Sequence, residues 1–183
     1  MKIINNKIRN FDKILDNLLF QRKNKIQSNH ILVSNIIKDV KRNGDKALLK
    51  YEKKFNKNNR IVPINKDIIR SIASLDKKVK RAIDIAYNRI YKFHSLQKFK
   101  NISYRDKLNN KLEYKYIPIE SVAIYVPGST ASYPSSVLMN TIPAIIAGVK
   151  RIVMINPCYK GKPNPAVLYA AKKCGIKEIY SIG

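Results

Sequence analysis

The clearest indication of the fold is the stretch SVAIYVPGSTASYPSSVLMNTIPAIIAGVKRIVMINP, residues 121–157. Its β-branched and aromatic run Val122–Val126 is typical of a buried strand, which Pro127-Gly128 should end. A helix is predicted over Ser136–Gly148, because apolar residues recur there at helical spacing. Arg151–Ile155 then repeats the strand pattern. These residues therefore predict a strand, a helix and a second strand in direct succession.

The residues that follow extend this pattern by one more helix and one more strand. Asn164 and Pro165 suit the cap and the first position of a helix that Gly175 should end, and Glu178–Ile182 is a third strand pattern. Pro143 should kink or restart the preceding helix. The alternation predicts an α/β fold class with an incomplete Rossmann-like parallel sheet. Because such a sheet needs cover on both faces, we expect the chain to be part of a larger protein.

The earlier residues, 1–117, predict a mainly helical region that ends in a strand, and the boundary with the Rossmann-like unit of residues 118–183 is expected near Pro118. Four helices are expected there, and their apolar positions are Ile31, Leu32, Ile36 and Val40; Leu48, Tyr51 and Phe55; Ile68, Ile69 and Ile72; and Val79, Ile83, Ala86, Ile90 and Phe93. A polar–apolar alternation over Lys111–Ile117 predicts a half-exposed strand.

Local residues also predict where these helices begin and end. Ser28 or Asn29 is a plausible N-cap of the first helix, and Asn43-Gly44 should stop it. Asp45 and Asn65 are expected to cap the second and third helices.

The net charge is a second conspicuous feature, with 37 basic against 12 acidic residues, or +25. Of this, +20 lies in residues 1–117 and +5 in residues 118–183. Such a charge suggests a nucleic-acid or anionic-membrane partner. However, lysine outnumbers arginine 28 to 9, and Ile, Lys and Asn together make up 75 residues. All three have A/T-rich codons, so we favour coding bias over a nucleic-acid role, since surface charge is usually solvated.

Several classes of protein do not fit this sequence. No apolar run is long enough to cross a membrane, and the first residues lack the apolar segment of a signal peptide. Cys158 and Cys174 are too few for a disulfide framework and lack the spacing of metal ligands. A cytoplasmic protein is therefore expected. His94 is more simply a structural residue at a helix end than a general base, because no partner for catalysis is visible.

The candidate binding residues lie where the first strand of the sheet ends. Ligands of open α/β sheets bind at the carboxyl ends of the strands. Gly128 would allow a close backbone approach, while the hydroxyl groups of residues 129–136 and a helix N-terminus could hold an anion such as pyrophosphate. Tyr125 could stack on a cofactor or form a hydrogen bond to it, although a tyrosine at such a position, taken alone, is more often a packed strand residue. The G-x-G-x-x-G fingerprint of dinucleotide-binding proteins is absent.

Three segments together resemble the histidinol dehydrogenase family. They are the run from Ser121 to Gly183, the helix pair VKRNGDKALLKYEKKF of Val40–Phe55, and the helix end NRIYKFHSLQK of Asn88–Lys98. The resemblance covers the chain from about Ile31 onward, and its most specific part is the Tyr-x-Pro-Gly segment with the helix that follows.

This resemblance implies paired, incomplete Rossmann-like domains and small segments that exchange between the subunits of a homodimer. It implies a zinc enzyme of histidine biosynthesis that oxidises L-histidinol through L-histidinaldehyde to L-histidine with two NAD⁺. It carries over a cofactor contact at Tyr125, with Pro127 and Gly128 shaping the adjacent loop. It places no catalytic residue and no zinc ligand in this chain, and no catalytic role on His94.

The sequence also departs from the family pattern. The family usually has two glycines after the proline, whereas Ser129 follows Gly128 here and should crowd a close backbone approach. The family's Gly-Ala-Gln segment, a further NAD contact, its zinc ligands and its Glu-His acid/base pair lie beyond the residues of this chain. We therefore expect the 183-residue chain to be inactive alone.

Two other hypotheses remain open at this point. The chain could be a degraded remnant that acts as a basic module for RNA or acidic partners, in which case its RNA affinity should depend steeply on salt. It could instead be an unstable fragment, which would show no cooperative melting.

Overall fold

The structure is a computed structural model that describes residues 7, 9–58, 68–128, 132–158 and 163–183. It divides into two compact units, Met1–Lys50 and Tyr51–Gly183. The elements in chain order are α1 (Phe11–Phe55), α2 (Ile68–Ala73), α3 (Lys77–Ser95), β1 (Ile102–Arg105), β2 (Lys111–Tyr114), β3 (Ser121–Tyr125), α4 (Pro134–Ala147), β4 (Arg151–Ile155), α5 (Pro165–Lys173) and β5 (Glu178–Tyr180). Within the described ranges, no helix is both long and apolar enough to cross a membrane.

The first unit is built on most of α1, a helix interrupted by a kink at Gly44. The backbone there has φ 56° and ψ −138°, so the predicted break at this glycine is confirmed. The predicted start at Ser28 or Asn29 is wrong, because α1 already begins at Phe11. Residues 11–43 contain no glycine or proline, and nothing in that stretch ends the helix. Asp39 accepts hydrogen bonds from Asn43 Nδ2 at 2.7 Å and from Lys50 Nζ at 2.9 Å, the latter from beyond the kink.

The second unit contains a parallel sheet in the order β3-β4-β5. Parallel register aligns Ile124 with Met154 and Met154 with Ile179, and all three side chains are buried. Helices α4 and α5 cover this face and contribute fully buried residues such as Val137 and Leu168. The predicted α/β class and strand–helix alternation are therefore confirmed.

The helix signals in this unit act largely as predicted. Asn164 caps α5, and its Oδ1 accepts from Ala166 N at 2.9 Å, while Pro165 is the first residue. Gly175, with φ 73°, follows the end of α5 in the left-handed conformation. In α4 the predicted restart at Pro143 does not occur, and the helix continues to Ala147.

Helix α3 packs against α4 and α5, so the second compact unit runs across residue 118. Asp84 of α3 accepts a hydrogen bond from the Tyr169 hydroxyl group and forms a 2.9 Å ion pair with Lys173 of α5. In the predicted apolar stripe, Ile83 is buried, whereas Phe93 at the far end is exposed. The change in charge and element type near Pro118 therefore lies inside one unit, and a domain boundary there stays a prediction.

Strands β1 and β2 form a separate antiparallel hairpin. Asp106 shapes its turn by accepting from Leu108 N at 2.9 Å and Asn110 N at 2.8 Å. All eight strand residues are exposed, so the expectation of a half-exposed strand over Lys111–Ile117 is wrong in burial as well as in length. β1 was not predicted, although Ile102 and Tyr104 alternate with Ser103 and Arg105 along it.

Candidate functional site

The candidate site is the edge of the sheet at which β3, β4 and β5 all end. Register places Tyr125 beside Ile155 and Ile155 beside Tyr180, which are the last residues of their strands. Because the strands are parallel, the segments that follow them leave the sheet at this common edge. We call these segments the three strand ends: residues 126–128, 156–158 and 181–183.

Tyr125 is an exposed aromatic residue at this edge. Its neighbour Ile124 is buried under the helices, so strand alternation places Tyr125 on the opposite face of the sheet. The residue is 56% exposed, which shows that it is not a packed core residue. An exposed tyrosine at a strand end can stack on a planar ligand or form a hydrogen bond to it.

The segment after Tyr125 is held to the segment after β4. The backbone N–H of Val126 donates to Ile155 O at 2.8 Å, and Asn156 Nδ2 donates to Val126 O at 2.8 Å. Val126 and Asn156 are both buried. Asn156 was not predicted as a site residue, although an asparagine directly after a buried strand is a recognisable signal for such a polar contact.

Gly128 is required here by contact with protein. A Cβ atom at this position would collide with the Pro157 carbonyl oxygen and lie 2.5 Å from Asn156 Nδ2. The close approach expected at Gly128 is therefore made by the neighbouring strand end. Pro127, the third predicted cofactor residue, is exposed between Val126 and Gly128, so the structure brings all three predicted residues to one edge.

The N-terminus of α4 follows the same segment in the chain. The helix begins at Pro134, and Tyr133 supplies no side-chain cap. The first-turn N–H groups of a helix carry partial positive charge and favour anions. Residues 129–131, which include Ser129 and two more of the predicted hydroxyl and loop positions, lie outside the described residues.

A buried carboxylate lies behind the strand ends and was missed by the sequence analysis. Glu52, near the end of α1, is 1% exposed and accepts hydrogen bonds from Asn56 Nδ2, Asn58 Nδ2 and Gly183 N. Because Glu52 stands among lysines in the sequence, its pattern is that of a solvated helix face. Its partner Gly183 is 131 residues away, and no local signal predicts that contact.

The two cysteines are unsuited to nucleophilic or metal chemistry. Both are free and buried. Burial raises the pKa of the Cys158 thiol above its usual value and raises the pKa of Cys174 to about 11. Both therefore stay protonated near neutral pH. Among the residues that the structure describes, no group of three His, Cys, Asp or Glu side chains could hold a metal ion.

His94 has a local partner that fits the structural interpretation. Its Nδ1 lies 2.6 Å from Gln97 Oε1, one turn further along the chain. Both residues line a cavity of about 360 Å³ that also includes Phe99 and Tyr116. The described lining contains no carboxylate that could orient the imidazole ring as a base.

Comparison with known proteins identifies relatives over most of the chain. The family model for histidinol dehydrogenase matches residues 20–183. Histidinol dehydrogenase of Pelagibacter ubique is 75% identical over all 183 residues, which span 43% of that relative. Histidinol dehydrogenase of Wolinella succinogenes is 36% identical over 188 aligned residues, which cover 100% of this chain and 44% of the relative.

A solved structure agrees with these sequence matches. The crystal structure of histidinol dehydrogenase from Elizabethkingia anophelis superposes with a TM-score of 0.77 at 37% identity, covering 84% of this chain and 36% of that one. The chain thus spans less than half of the length of the relatives it matches. Family match, sequence identity and fold agree, and the chain belongs to the histidinol dehydrogenase family.

Proposed function

We propose that this chain forms the cofactor side of a cytoplasmic, homodimeric enzyme of histidine biosynthesis, which oxidises L-histidinol to L-histidine with NAD⁺ and zinc. The family match over residues 20–183 supports the reaction. The observation that carries the assignment of this part is the exposed ring of Tyr125 at the carboxyl edge of the sheet, beside the close-packed Gly128.

The residues at this edge fit a dinucleotide. Tyr125 would contact a planar ring, Pro127 and Gly128 would shape the loop beside it, and the N-terminus of α4 would favour the charged pyrophosphate. When bound, NAD⁺ supplies the acceptor for a hydride from the substrate. The task of this chain would be to bind and orient that acceptor. Tyr125 is suited to this task, because the segment that follows it is fixed by hydrogen bonds of Val126 and Asn156.

The described residues do not fit a zinc site, since no suitable group of ligands is present among them. No proton transfer can be assigned to them either. Cys158 and Cys174 are kept protonated by burial, and His94 is paired with an amide. We therefore propose that the metal and the acid/base groups come from a part of the enzyme beyond these 183 residues, and that the chain alone does not turn over.

An activity assay tests this proposal. NADH formation from L-histidinol and NAD⁺ is measured for the chain alone and for the chain mixed with the carboxyl-terminal part of the Pelagibacter ubique relative. We expect NADH only from the mixture, with the carboxyl-terminal part alone as the control. NADH formation by the chain alone, or steeply salt-dependent RNA binding without any activity in the mixture, would contradict the proposal.

A further inference from the structure

The geometry points to Glu52 as a positioning residue that holds two strand ends at the cofactor edge. The inference rests on the proposed function, because it assigns a role to the strand ends as the cofactor-binding surface. It starts from an uncommon feature, which is a carboxylate that is 1% exposed and accepts three N–H groups. Among the described residues, no cation forms an ion pair with it.

The cost of burying this charge indicates that the contacts are specific. A carboxylate removed from water destabilises the fold unless hydrogen bonds replace its hydration. Here Oε1 accepts from Asn56 Nδ2 at 2.9 Å and Gly183 N at 2.8 Å, and Oε2 accepts from Asn58 Nδ2 at 3.0 Å. Both oxygen atoms are used, so the carboxylate has one defined orientation.

The same amides connect this carboxylate to two strand ends. Asn56 Nδ2 also donates to Gly183 O at 3.2 Å, and Asn58 Nδ2 also donates to Cys158 O at 3.1 Å. The backbone N–H and carbonyl groups of Gly183 are therefore both bound by this cluster. Glu52, Asn56 and Asn58, which we call the carboxylate–amide clamp, thus fix the segments after β4 and β5.

Pro157 transmits this restraint to the segment beside Tyr125. A Cβ atom on Gly183 would collide with the Pro157 ring, and one on Gly128 would collide with the Pro157 carbonyl oxygen. The strand ends are thus packed with no space for a methyl group between them. A shift of residues 156–158 towards Gly128 must therefore displace Gly128.

The backbone of the clamp is itself restrained. The N–H groups of Asn56 and Asn58 donate to Glu52 O at 2.9 and 3.3 Å, and Lys57 between them has φ 58°. This left-handed residue turns the chain after α1, so that Asn56 and Asn58 can both reach the Glu52 carboxylate. The three side chains form one local unit, with Glu52 at its centre.

The test compares Glu52→Gln with Glu113→Gln, the same change at an exposed carboxylate of the hairpin. The chain is mixed with the carboxyl-terminal part of the Pelagibacter ubique relative, and KM for NAD⁺, KM for L-histidinol, kcat and Tm are measured. The Glu52→Gln side chain would direct an NH2 group at one of the three donors. We expect KM for NAD⁺ to rise about tenfold, with KM for L-histidinol unchanged. Glu113→Gln should change neither constant.

Two results would overturn the inference. One is a folded Glu52→Gln variant whose KM for NAD⁺ stays within about twofold of wild type. The other is a lowered Tm with both KM values unchanged, because that outcome describes a purely structural residue. If Glu52→Gln does not fold, Asn58→Ala provides the same comparison, since it releases Cys158 O while leaving the Gly183 contact in place.

A second measurement separates this inference from the proposed function. If the wild-type mixture forms no NADH, the proposed function fails, and amide hydrogen exchange on the 183-residue chain then decides the positioning role. Glu52→Gln should speed exchange about tenfold at Gly183, whose N–H donates to Glu52, and at Asn156, whose N–H donates to Tyr180 O, and leave the β1–β2 hairpin unchanged. Equal exchange in the variant and wild type would overturn the role.

Discussion

The two compact units differ in what holds their residues in place. In the first, α1 exposes many of its large apolar side chains, including Leu19, Phe20 and Leu32. In the second, three strands and their helices enclose a continuous core, and the strand ends are packed against one another. The core and the strand ends of the second unit are therefore restrained by distant parts of the chain, whereas the described contacts of the first unit are mainly local. The candidate site lies in the second unit, where these long-range contacts hold its residues.

The largest difference in stability between the two units is expected when a buried side chain is shortened. Leu138 of α4 is 1% exposed, and Leu32 of α1 is 54% exposed. We expect Leu138→Ala to lower the free energy of unfolding by about 2–5 kcal/mol, because it leaves a cavity. Leu32→Ala should cost less than about 1 kcal/mol. Chemical denaturation measures both, and equal losses would remove the basis of the comparison.

A second pair of variants compares two glycines. Gly128→Ala should destabilise the second unit by about 1–3 kcal/mol, because its methyl group meets Pro157 and Asn156. Gly175 has φ 73° but nothing within 4 Å of an added Cβ, so Gly175→Ala should cost only about 1 kcal/mol. Thermal melting checks that Gly128→Ala lowers Tm more than Gly175→Ala does. Only Gly128→Ala should also weaken NAD⁺ binding. A reversed order would show that the strand ends can relax.

Tyr125→Ala sharpens the comparison by separating function from stability. Because Tyr125 is 56% exposed, removal of its ring should leave Tm nearly unchanged. In the mixture with the carboxyl-terminal part of the relative, KM for NAD⁺ should rise about tenfold through lost stacking. Tyr104→Ala, at a tyrosine that is 58% exposed in the hairpin, is the matched control. Equal effects of the two changes would contradict a specific role for Tyr125.

The smallest effect is expected at the contact between α3 and α5. The hydrogen bond from Lys173 is the main cause that holds the pKa of Asp84 below its usual value. A lowered folded pKa stabilises the protein above the pKa of the unfolded chain, and this stability is lost as pH falls through the folded value. Asp84→Asn should therefore lower the free energy of unfolding at neutral pH by less than about 1 kcal/mol, because the pair is partly solvated. It should also flatten the acid side of the Tm–pH curve, and an unchanged curve would contradict this.

The sheet could be predicted because its signals are local. The β-branched runs, the Asn164-Pro165 helix start and Gly175 each act within a few residues, and β4 matches its predicted range without change. The identity of Tyr125, Pro127 and Gly128 as edge residues also followed from the strand order.

The remainder depended on contacts between distant residues. Gly128 was expected to approach a ligand, yet its missing side chain makes room for Pro157, which no local pattern indicates. Glu52 and Gly183 are likewise joined only in the folded chain. The helix start at Phe11 was missed for a different reason, since a favourable cap at Ser28 cannot stop a helix that already runs through it.

The net charge is concentrated outside the region that contains the candidate cofactor residues. The lysine-rich residues 1–117 carry +20 of the formal charge, whereas the region with the candidate site carries +5. The family match supports a dehydrogenase framework and gives the RNA-binding alternative no support.

Hydrogen exchange on the mixture of this chain and the relative's carboxyl-terminal part, with and without NAD⁺, tests whether the cofactor binds at the carboxyl edge of the sheet. We expect slower exchange at residues 121–128 and at the first turn of α4, with no change in the β1–β2 hairpin. Protection confined to the hairpin or to the first unit, with the strand ends unaffected, would contradict the placement of the cofactor at this edge.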